Sequence, residues 1–512
     1  MWRVFICLLA VAYVDAQEID EPEEGAVLES VLDDEEGRGK FRARWRVRGW
    51  DGMQWYQRGE WQRKNEQAFV LVERDAGEAW SDFSALYYRR TGRLGEMVVG
   101  DVRASFAGGL VFGRGRSGGM RLSLRDSQQL GYRSSVENGA VRGMVWRHEE
   151  GRWQWALLGG RAALDARIDA SGHVISLPES GQHVSETERT GRDLLAMTVG
   201  GIRLRRSVQG GHVGLVLQGI DFSRHLDLRR KGRTPWGFVG GRQFMGSVDG
   251  AWVGGGYALA MEIGRDRGEG WVGLVQMKKR WQRARMRLMG RYYPSSFHSF
   301  FGAAPGAGSM QNERGVTVVL DGKAGAWQVY LDAYRRPQRT FFLPVAADYG
   351  RWGGHWHWRL KRWQGRFLWQ GRSRPRWSAG RLWQDRTRRG RLDIERGIWV
   401  IQGQSLRLWK AGGDDEWGGV LALRGRWQQP WGHFVLHGSL FAVDSYASRL
   451  YEYEYDLPGA VSIRPLYGDG WRLYMLIARR WRGTEIALRY RLQRAGDTRH
   501  YAGVLVDVVS LD

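Results

Sequence analysis

Arginine stands at every second position of Phe41-Arg42-Ala43-Arg44-Trp45-Arg46-Val47-Arg48-Gly49. On an extended segment this spacing sets four guanidinium groups on one face and apolar side chains or glycine on the other. A guanidinium is a planar, permanently charged fork that holds phosphate or carboxylate through paired hydrogen bonds. The chemistry such a face offers is attraction and binding of anions. The pattern returns at Trp281–Arg291, where Arg283, Arg285, Arg287 and Arg291 share a face opposite Ala284, Met286 and Leu288. Shorter versions are His355-Trp356-His357-Trp358-Arg359-Leu360-Lys361 and Leu488-Arg489-Tyr490-Arg491-Leu492.

Signals for other chemistries are weaker. His355 and His357 offer two imidazoles on one strand face, but Arg359 and Lys361 on that face repel a divalent cation, so the pair reads as lining. Gly181-Gln182-His183-Val184-Ser185-Glu186 gathers His, Ser and Glu in a loop, with no spacing that assigns a nucleophile and its base. Gly113-Arg114-Gly115-Arg116-Ser117-Gly118 matches a dinucleotide-loop spacing but lacks a surrounding βαβ unit. Arg229-Arg230-Lys231-Gly232-Arg233 reads as a solvated loop, with anchoring of an anionic glycolipid as the functional alternative. No catalytic residue, metal ligand or cofactor is assigned.

The arginine faces need elements that keep charge away from lipid while showing lipid the apolar face. Arg3 followed by an apolar run from Val4 to Val14, with Val14-Asp15-Ala16 behind it, predicts a signal peptide over 1–16. Cys7, the single cysteine, lies within it, so the mature chain is expected to lack disulfides and thiol chemistry. Beyond residue 16 no apolar stretch is long enough for a membrane helix. The 28 Trp residues suit a bilayer–water interface, and alternating segments of about ten residues suit strands whose alternate side chains meet lipid. The composition therefore predicts an all-β chain: a transmembrane outer-membrane β-barrel of roughly 20 antiparallel strands (18–22) over 41–512. Twenty such runs can be marked, from 41–49 and 67–74 to 484–493 and 500–510. The intervals 105–138, 162–190, 293–314, 335–354 and 444–469 are expected to be extracellular loops or lumen plugs, and 374–389 and 411–417 connections.

Residues 17–40 are expected to be an acidic flexible tail, with ten carboxylates and no basic residue between Glu18 and Glu36. The barrel region keeps 75 basic and 44 acidic residues, a net charge of +31, and of the 78 basic residues of the whole chain only 8 are Lys. Codon bias can choose Arg over Lys, but it cannot place arginines at alternate positions. The tail is tethered beside Arg42, Arg44, Arg46 and Arg48, which predicts an electrostatic plug at the periplasmic mouth.

Several segments resemble a known family. Val72-Glu73-Arg74-Asp75-Ala76-Gly77-Glu78, Val99-Gly100-Asp101-Val102 through Gly109-Leu110-Val111-Phe112, and Tyr132-Arg133-Ser134-Ser135-Val136-Glu137-Asn138 are similar to motifs in the barrel region of large helix-hairpin-helix, competence-type proteins of Bacteroidetes-like bacteria. Tyr292-Tyr293-Pro294-Ser295-Ser296-Phe297, Asn312-Glu313-Arg314-Gly315 and Tyr451-Glu452-Tyr453-Glu454-Tyr455-Asp456 follow in the family's order. The resemblance implies barrel architecture and outer-membrane location, with Asp75, Gly77, Glu78, Gly100, Asp101, Gly109, Ser134, Ser135, Glu137, Asn138, Asn312 and Glu313 at motif positions. Ala107 departs from the family's glutamine, and Asp512 ends the chain where many barrels end in an aromatic. The helix-hairpin-helix repeats are missing, so DNA binding does not carry over.

The functional expectation is a channel or translocation pore in the bacterial outer membrane. Its lumen would be lined by Arg42, Arg44, Arg46, Arg48, Arg283, Arg285, Arg287, Arg291, Arg359, Arg489 and Arg491 and would pass anionic solutes or polymers. The alternatives are a non-transporting structural or assembly barrel that partners other envelope proteins, and a rim-located outer-membrane hydrolase. The expected partners are outer-membrane lipid, an anionic solute or polymer, and envelope proteins.

Overall fold

A computed structural model describes residues 40–511 except 49–53, 75–77, 79–82, 114–125, 135–138, 179–180, 182, 230–234, 269, 309, 323–325, 341, 456–460, 482–483 and 496. The predicted signal peptide and almost all of the acidic tail lie outside the described residues, as do Asp75, Gly77, Ser135, Glu137 and Asn138. No described helix is long and apolar enough to cross a membrane, which says nothing of strands.

The chain is all-β, and its described residues are dominated by one sheet of 26 strands. Its long strands pair antiparallel in sequence order, each with the one before and the one after. The first, Lys40–Arg48, also pairs along its whole length with the last, Asp497–Leu511, so the pairings run round in a ring. Two very short strands, Arg167–Ile168 and Val174–Ser176, lie off this ring, and twenty-four strands remain in it. A separate hairpin, Leu450–Tyr455 with Val461–Leu466, forms a second sheet of 2 strands.

Among the described residues the ring thus has twenty-four strands where 18–22 were expected. The four additional strands are Gln54–Arg63, Phe83–Gly92, Val239–Gly254 and Arg381–Arg396. The interval 374–389 is likewise not a connection: Trp363–Ser378 and Arg381–Arg396 run through it and meet at Ala379-Gly380. Both turn residues have positive φ, 50° and 73°, the left-handed pair that matches the twist of flanking strands. The interval 335–354 also contains the start of Ala347–Leu360.

Because neighbours alternate in direction, connections alternate between the two ends of the ring. Two-residue links at 64–65, 93–94, 151–152, 209–210, 255–256, 361–362, 397–398 and 430–431 all fall at one end. The first strand starts and the last strand finishes at that same end. The long connections 103–140, 165–194, 228–238, 294–312, 337–346 and 444–467 all fall at the other.

The two faces of the sheet are inverted relative to a water-soluble protein. In Tyr257–Asp266, Leu259, Met261 and Ile263 are exposed while Glu262 between them is fully buried. Val70, Leu86, Val99, Ile202, Val275, Leu331, Leu421, Leu440, Ile477 and Leu488 repeat this outward exposure around the ring. Trp153, Trp252, Trp327, Trp356, Trp363, Trp399 and Trp481 stand exposed near the short-link end, and Trp271, Trp377 and Trp417 near the other. The buried apolar core lies inside the ring, where Phe106, Leu110, Phe112, Phe297 and Met310 from long connections meet inward residues such as Val199 and Met245.

Candidate functional site: the charged interior

Two long connections fold into the ring and fasten to each other. Gly113 N–H donates to the Phe301 carbonyl at 2.7 Å and Ala303 N–H to the Gly109 carbonyl at 2.9 Å. Gly109 has φ +84°, and a Cβ on Gly113 would stand 2.3 Å from Ala303 N, so this approach needs glycine. Phe112 reaches the wall at Gly201, where a Cβ would lie 2.6 Å from its ring. The wall holds the segment with a buried carboxylate: Glu262 accepts Gly108 N–H at 2.7 Å and the Ser247 hydroxyl at 2.6 Å.

Nearer the short-link end, Arg203 is buried and clamps two carboxylates. It binds Asp249 on a wall strand through both terminal nitrogens, and its Nε donates to Asp126 of the inserted connection at 3.1 Å. Asp126 in turn accepts Ala107 N–H at 2.8 Å. His212 adds a contact to Asp249 at 3.2 Å. Gly214 supplies the room, since its Cβ would lie 2.2 Å from Arg203 Nη1. Gly315 does the same beneath Arg291.

Across the ring the hairpin Leu450–Tyr455/Val461–Leu466 brings two more acids inward. Glu454 is fully buried and faces three arginines of the wall: Arg472 at 2.7 Å, Arg491 at 3.2 Å, and Arg489 in direct contact. Glu452 accepts from the Ser439 hydroxyl at 3.1 Å and meets His437 at 2.7 Å and Arg472 at 3.4 Å. An unpaired charge in such a place costs several kcal/mol, about 3–5 when one partner is removed. These pairs therefore fasten the hairpin to the wall.

The expected lumen arginines fall into three groups. Arg285, Arg287, Arg291, Arg489 and Arg491 lie on the inward face and are engaged by protein carboxylates. Arg285 and Arg287 share Asp321 at 3.2 and 2.9 Å, and Arg291 binds Glu313 and Asp332 with Thr317. Arg283 and Arg359 sit at the short-link rim, exposed; Arg283 precedes its strand, and Arg359 donates to Gln364 at 3.4 Å. Arg42, Arg44, Arg46 and Arg48 lie on a described strand paired on both sides, with Arg44 opposite Asp507, but their side chains are outside the described residues.

The motif positions that are described join neighbouring wall strands or tie one connection to another. Asp101 binds Arg142 at 3.0 Å and accepts Leu86 N–H at 2.7 Å. Gly100 has φ +117° where a Cβ would strike the Leu86 carbonyl. Asn312, itself at φ 54°, exchanges two hydrogen bonds with Gln338. Glu78 is buried and accepts His183 N–H at 2.9 Å. Ser134 lies where the 103–140 connection returns to the wall.

The remaining chemistry-bearing residues have structural employment. His183 Nε2 meets Asp165 at 3.0 Å. Ser185 caps the helix Glu186–Thr190 in a reciprocal box with Glu188, and those hydrogen bonds hold the Glu188 carboxyl below its usual range. His355 and His357 pack edge to face at 4.9 Å, with His357 opposite Arg366 across the ladder. Among the described residues no three His, Cys, Asp or Glu side chains group as a metal site. Arg203, Asp249, Glu262, Asp321, Asp332 and Arg472 were missed in the sequence. The signal was present: each is a charge at an inward position of a strand whose outward positions are largely apolar.

No family model matches the chain, and no curated protein matches it. Solved structures do. The P pilus usher (PapC) translocation pore is 10% identical, with 93% of this chain and 99% of that one covered, at a TM-score of 0.37. OpdK of Pseudomonas aeruginosa with vanillate is 10% identical over 93% and 98%, TM-score 0.32. A BenF-like porin from Pseudomonas fluorescens Pf-5 is 8% identical over 93% and 98%, TM-score 0.33. At these identities and scores the function has to be read from the chain's own residues.

Proposed function

We propose that the chain is a bacterial outer-membrane β-barrel that forms a gated translocation pore, its gate being the segments folded into the ring. The observation that carries this reading is the inversion of the two faces: Leu259, Met261 and Ile263 outward, Glu262 buried between them. Monomeric soluble proteins rarely expose continuous apolar area beyond a few hundred Å², and here the outward band encircles the sheet. Strands of about 9–11 tilted residues suffice to cross a bilayer. Short links at one end and long connections at the other match periplasmic turns and extracellular loops. The structural employment of Gly100 and Asp101 between wall strands, and of Gly109, Asn312 and Glu313 in fastening the long connections, supports the resemblance to the barrel region of the helix-hairpin-helix proteins.

A lumen that binds anionic solutes or polymers is part of the proposal, with a condition attached by the ion pairs. Arg489 and Arg491 are neutralised by Glu454 while the hairpin is docked, so their charge becomes available to a passing anion only when it moves, whereas Arg291 is held by Glu313 and Asp332 of the wall itself. The second reading, a non-transporting assembly barrel, is favoured by the same neutralisation and by the inserts themselves. A hydrolase reading loses support from the structural roles of His183 and Ser185.

Reconstitution separates the two. The purified protein should be β-rich, dependent on detergent and heat-modifiable in gels; a soluble monomer would end the membrane reading. In planar bilayers the wild type should be nearly silent and a variant lacking 450–466 should show discrete conductance. Silence in both would leave the assembly barrel standing.

A further inference from the structure

We propose that the outward face of Trp363–Ser378, Arg381–Arg396 and Trp399–Trp409 carries a binding site for the phosphate headgroup of an anionic lipid. The site is a groove lined by Gln384, Arg386, Arg388, Trp409, Lys410 and Ala411. Its place on the outside follows from alternation: Arg389 and Arg391 point inward to Gln404 and Asp393, so Arg386 and Arg388 point outward with exposed Leu392. On the next strand Arg407 and Trp409 share the outward face of exposed Ile401.

The charges in this groove lack balance. Arg388 stands directly opposite Arg407 in the ladder, and Arg386 opposite Trp409. Like charges directly opposite each other destabilise a strand pair. Arg407 is offset by exposed Asp415 at 3.3 Å and Lys410 by Glu416. Among the described residues Arg386 and Arg388 have no carboxylate partner. Their Cα atoms are about 7 Å apart along the strand, close enough for one phosphate to bridge both guanidiniums.

The groove is also prebuilt. The Trp409 indole is flanked by Arg388 at 5.3 Å and Arg407 at 5.0 Å, which holds both cations in place. The link that follows is tied down by Arg376 donating to the Ala411 carbonyl at 2.7 Å and by Ala411 N–H donating to Asp385 at 3.1 Å. Arg407 pairs with exposed Trp417 across the ladder, and Arg388 lies roughly 13 Å along its strand from Leu392. The site is thus above the apolar band at the long-connection end, at the depth of a headgroup with acyl chains running down past Leu392 and Ile401. An amphiphile with a phosphate monoester fits both halves of this surface.

This inference rests on the membrane-spanning reading, so both are measured on the same preparation. Wild-type protein and an Arg386→Gln/Arg388→Gln variant, each checked for detergent dependence and heat modifiability, are titrated in micelles with phosphatidic acid, phosphatidylglycerol, phosphatidylcholine and inorganic phosphate. Retained lipid is read by native mass spectrometry. Phosphatidic acid should be retained in preference to phosphatidylcholine, and the double variant should lose roughly 25-fold in that affinity, since each cation near a lipid surface contributes about fivefold. Arg242→Gln, an outward arginine paired with Asp221, should retain the lipid like the wild type. Equal retention by the double variant, or no preference over phosphatidylcholine, would overturn the site. Displacement of phosphatidic acid by submillimolar inorganic phosphate would reassign it to a soluble anion. A wild type that needs no detergent would remove the membrane reading, and this site with it.

Discussion

Glu454→Gln tests whether the inserted hairpin is the gate. The substitution keeps the shape of the side chain and removes one charge from a cluster of Arg472, Arg489, Arg491, Glu452 and Glu454, all buried. Three guanidiniums then face a single carboxylate. Removing one partner of a buried pair costs about 3–5 kcal/mol, because the remaining charge keeps its desolvation penalty. If the hairpin can leave while the wall stays folded, that cost falls on the docked state alone. Each 1.4 kcal/mol is tenfold in a population, so the undocked fraction should rise by roughly two to three and a half orders of magnitude. In planar bilayers this appears as frequent openings where the wild type shows rare ones. Limited proteolysis from the long-connection side should cut between 450 and 466 in the variant before the wall is touched. Adding Arg489→Gln should recover part of the docking, since it removes one stranded cation. A Glu454→Gln protein with wild-type openings and wild-type protease resistance would refute the clamp. Loss of heat modifiability would instead show that the hairpin is integral to the wall.

Three further outcomes follow from particular contacts. Asp321→Asn, made in the Glu454→Gln background, unmasks Arg285 and Arg287 together and should raise anion preference in the reversal potential; the effect should fade toward 1 M salt, where screening shortens to about 3 Å, and unchanged selectivity would place that face off the ion path. Gly201→Val puts a side chain into the ring of Phe112 and should destabilise the docked 103–113 segment by about 1–3 kcal/mol, read as an earlier heat-modification midpoint, whereas Gly200→Ala, which meets nothing within 4 Å, should leave it unmoved. Ala379→Gly relieves a non-glycine residue at φ 50° and should stabilise the 379–380 turn by up to about 1 kcal/mol, with no gain if the turn is formed late or is already slack.

The strands legible in the sequence were those whose outward face is apolar through the bilayer. Tyr257–Asp266 and Ala284–Tyr293 alternate cleanly, because the outward residues must suit lipid and the inward ones water or ions. Arg381–Arg396 escaped for a physical reason: its outward face carries Gln384, Arg386 and Arg388 between Leu382 and Leu392, which interrupts the apolar alternation. Gln54–Arg63 is likewise too polar to stand out, and Phe83–Gly92 carries Ala85 and Tyr87 inward with Leu86 and Tyr88 outward, a run apolar on both faces that shows no alternation. A strand that extends past the membrane is held by its ladder, and ladder hydrogen bonds leave no trace in side-chain periodicity.

The inward charges were half legible, and the missing part was mostly the acids. Period-two alternation tells which face Arg285, Arg287, Arg489 and Arg491 occupy, because neighbours on the same strand share the rule. It says nothing of what stands opposite. Asp321 and Asp332 come from the next strands, Asp126 from a connection that enters the ring, and Glu454 from a hairpin 18 residues before Arg472 and 37 before Arg491. A surplus of 75 basic over 44 acidic residues therefore describes the chain and not its interior, where the acids are concentrated against the arginines that need them. Yet Tyr451-Glu452-Tyr453-Glu454-Tyr455 is itself a period-two segment, with both carboxylates on one face and tyrosines on the other. On a strand facing lipid, that acidic row would cost several kcal/mol near the midplane. Its only sheltered position is inside the ring against a row of cations. The spacing that reveals the arginine faces thus also implies an acidic partner that must fold inward to meet them.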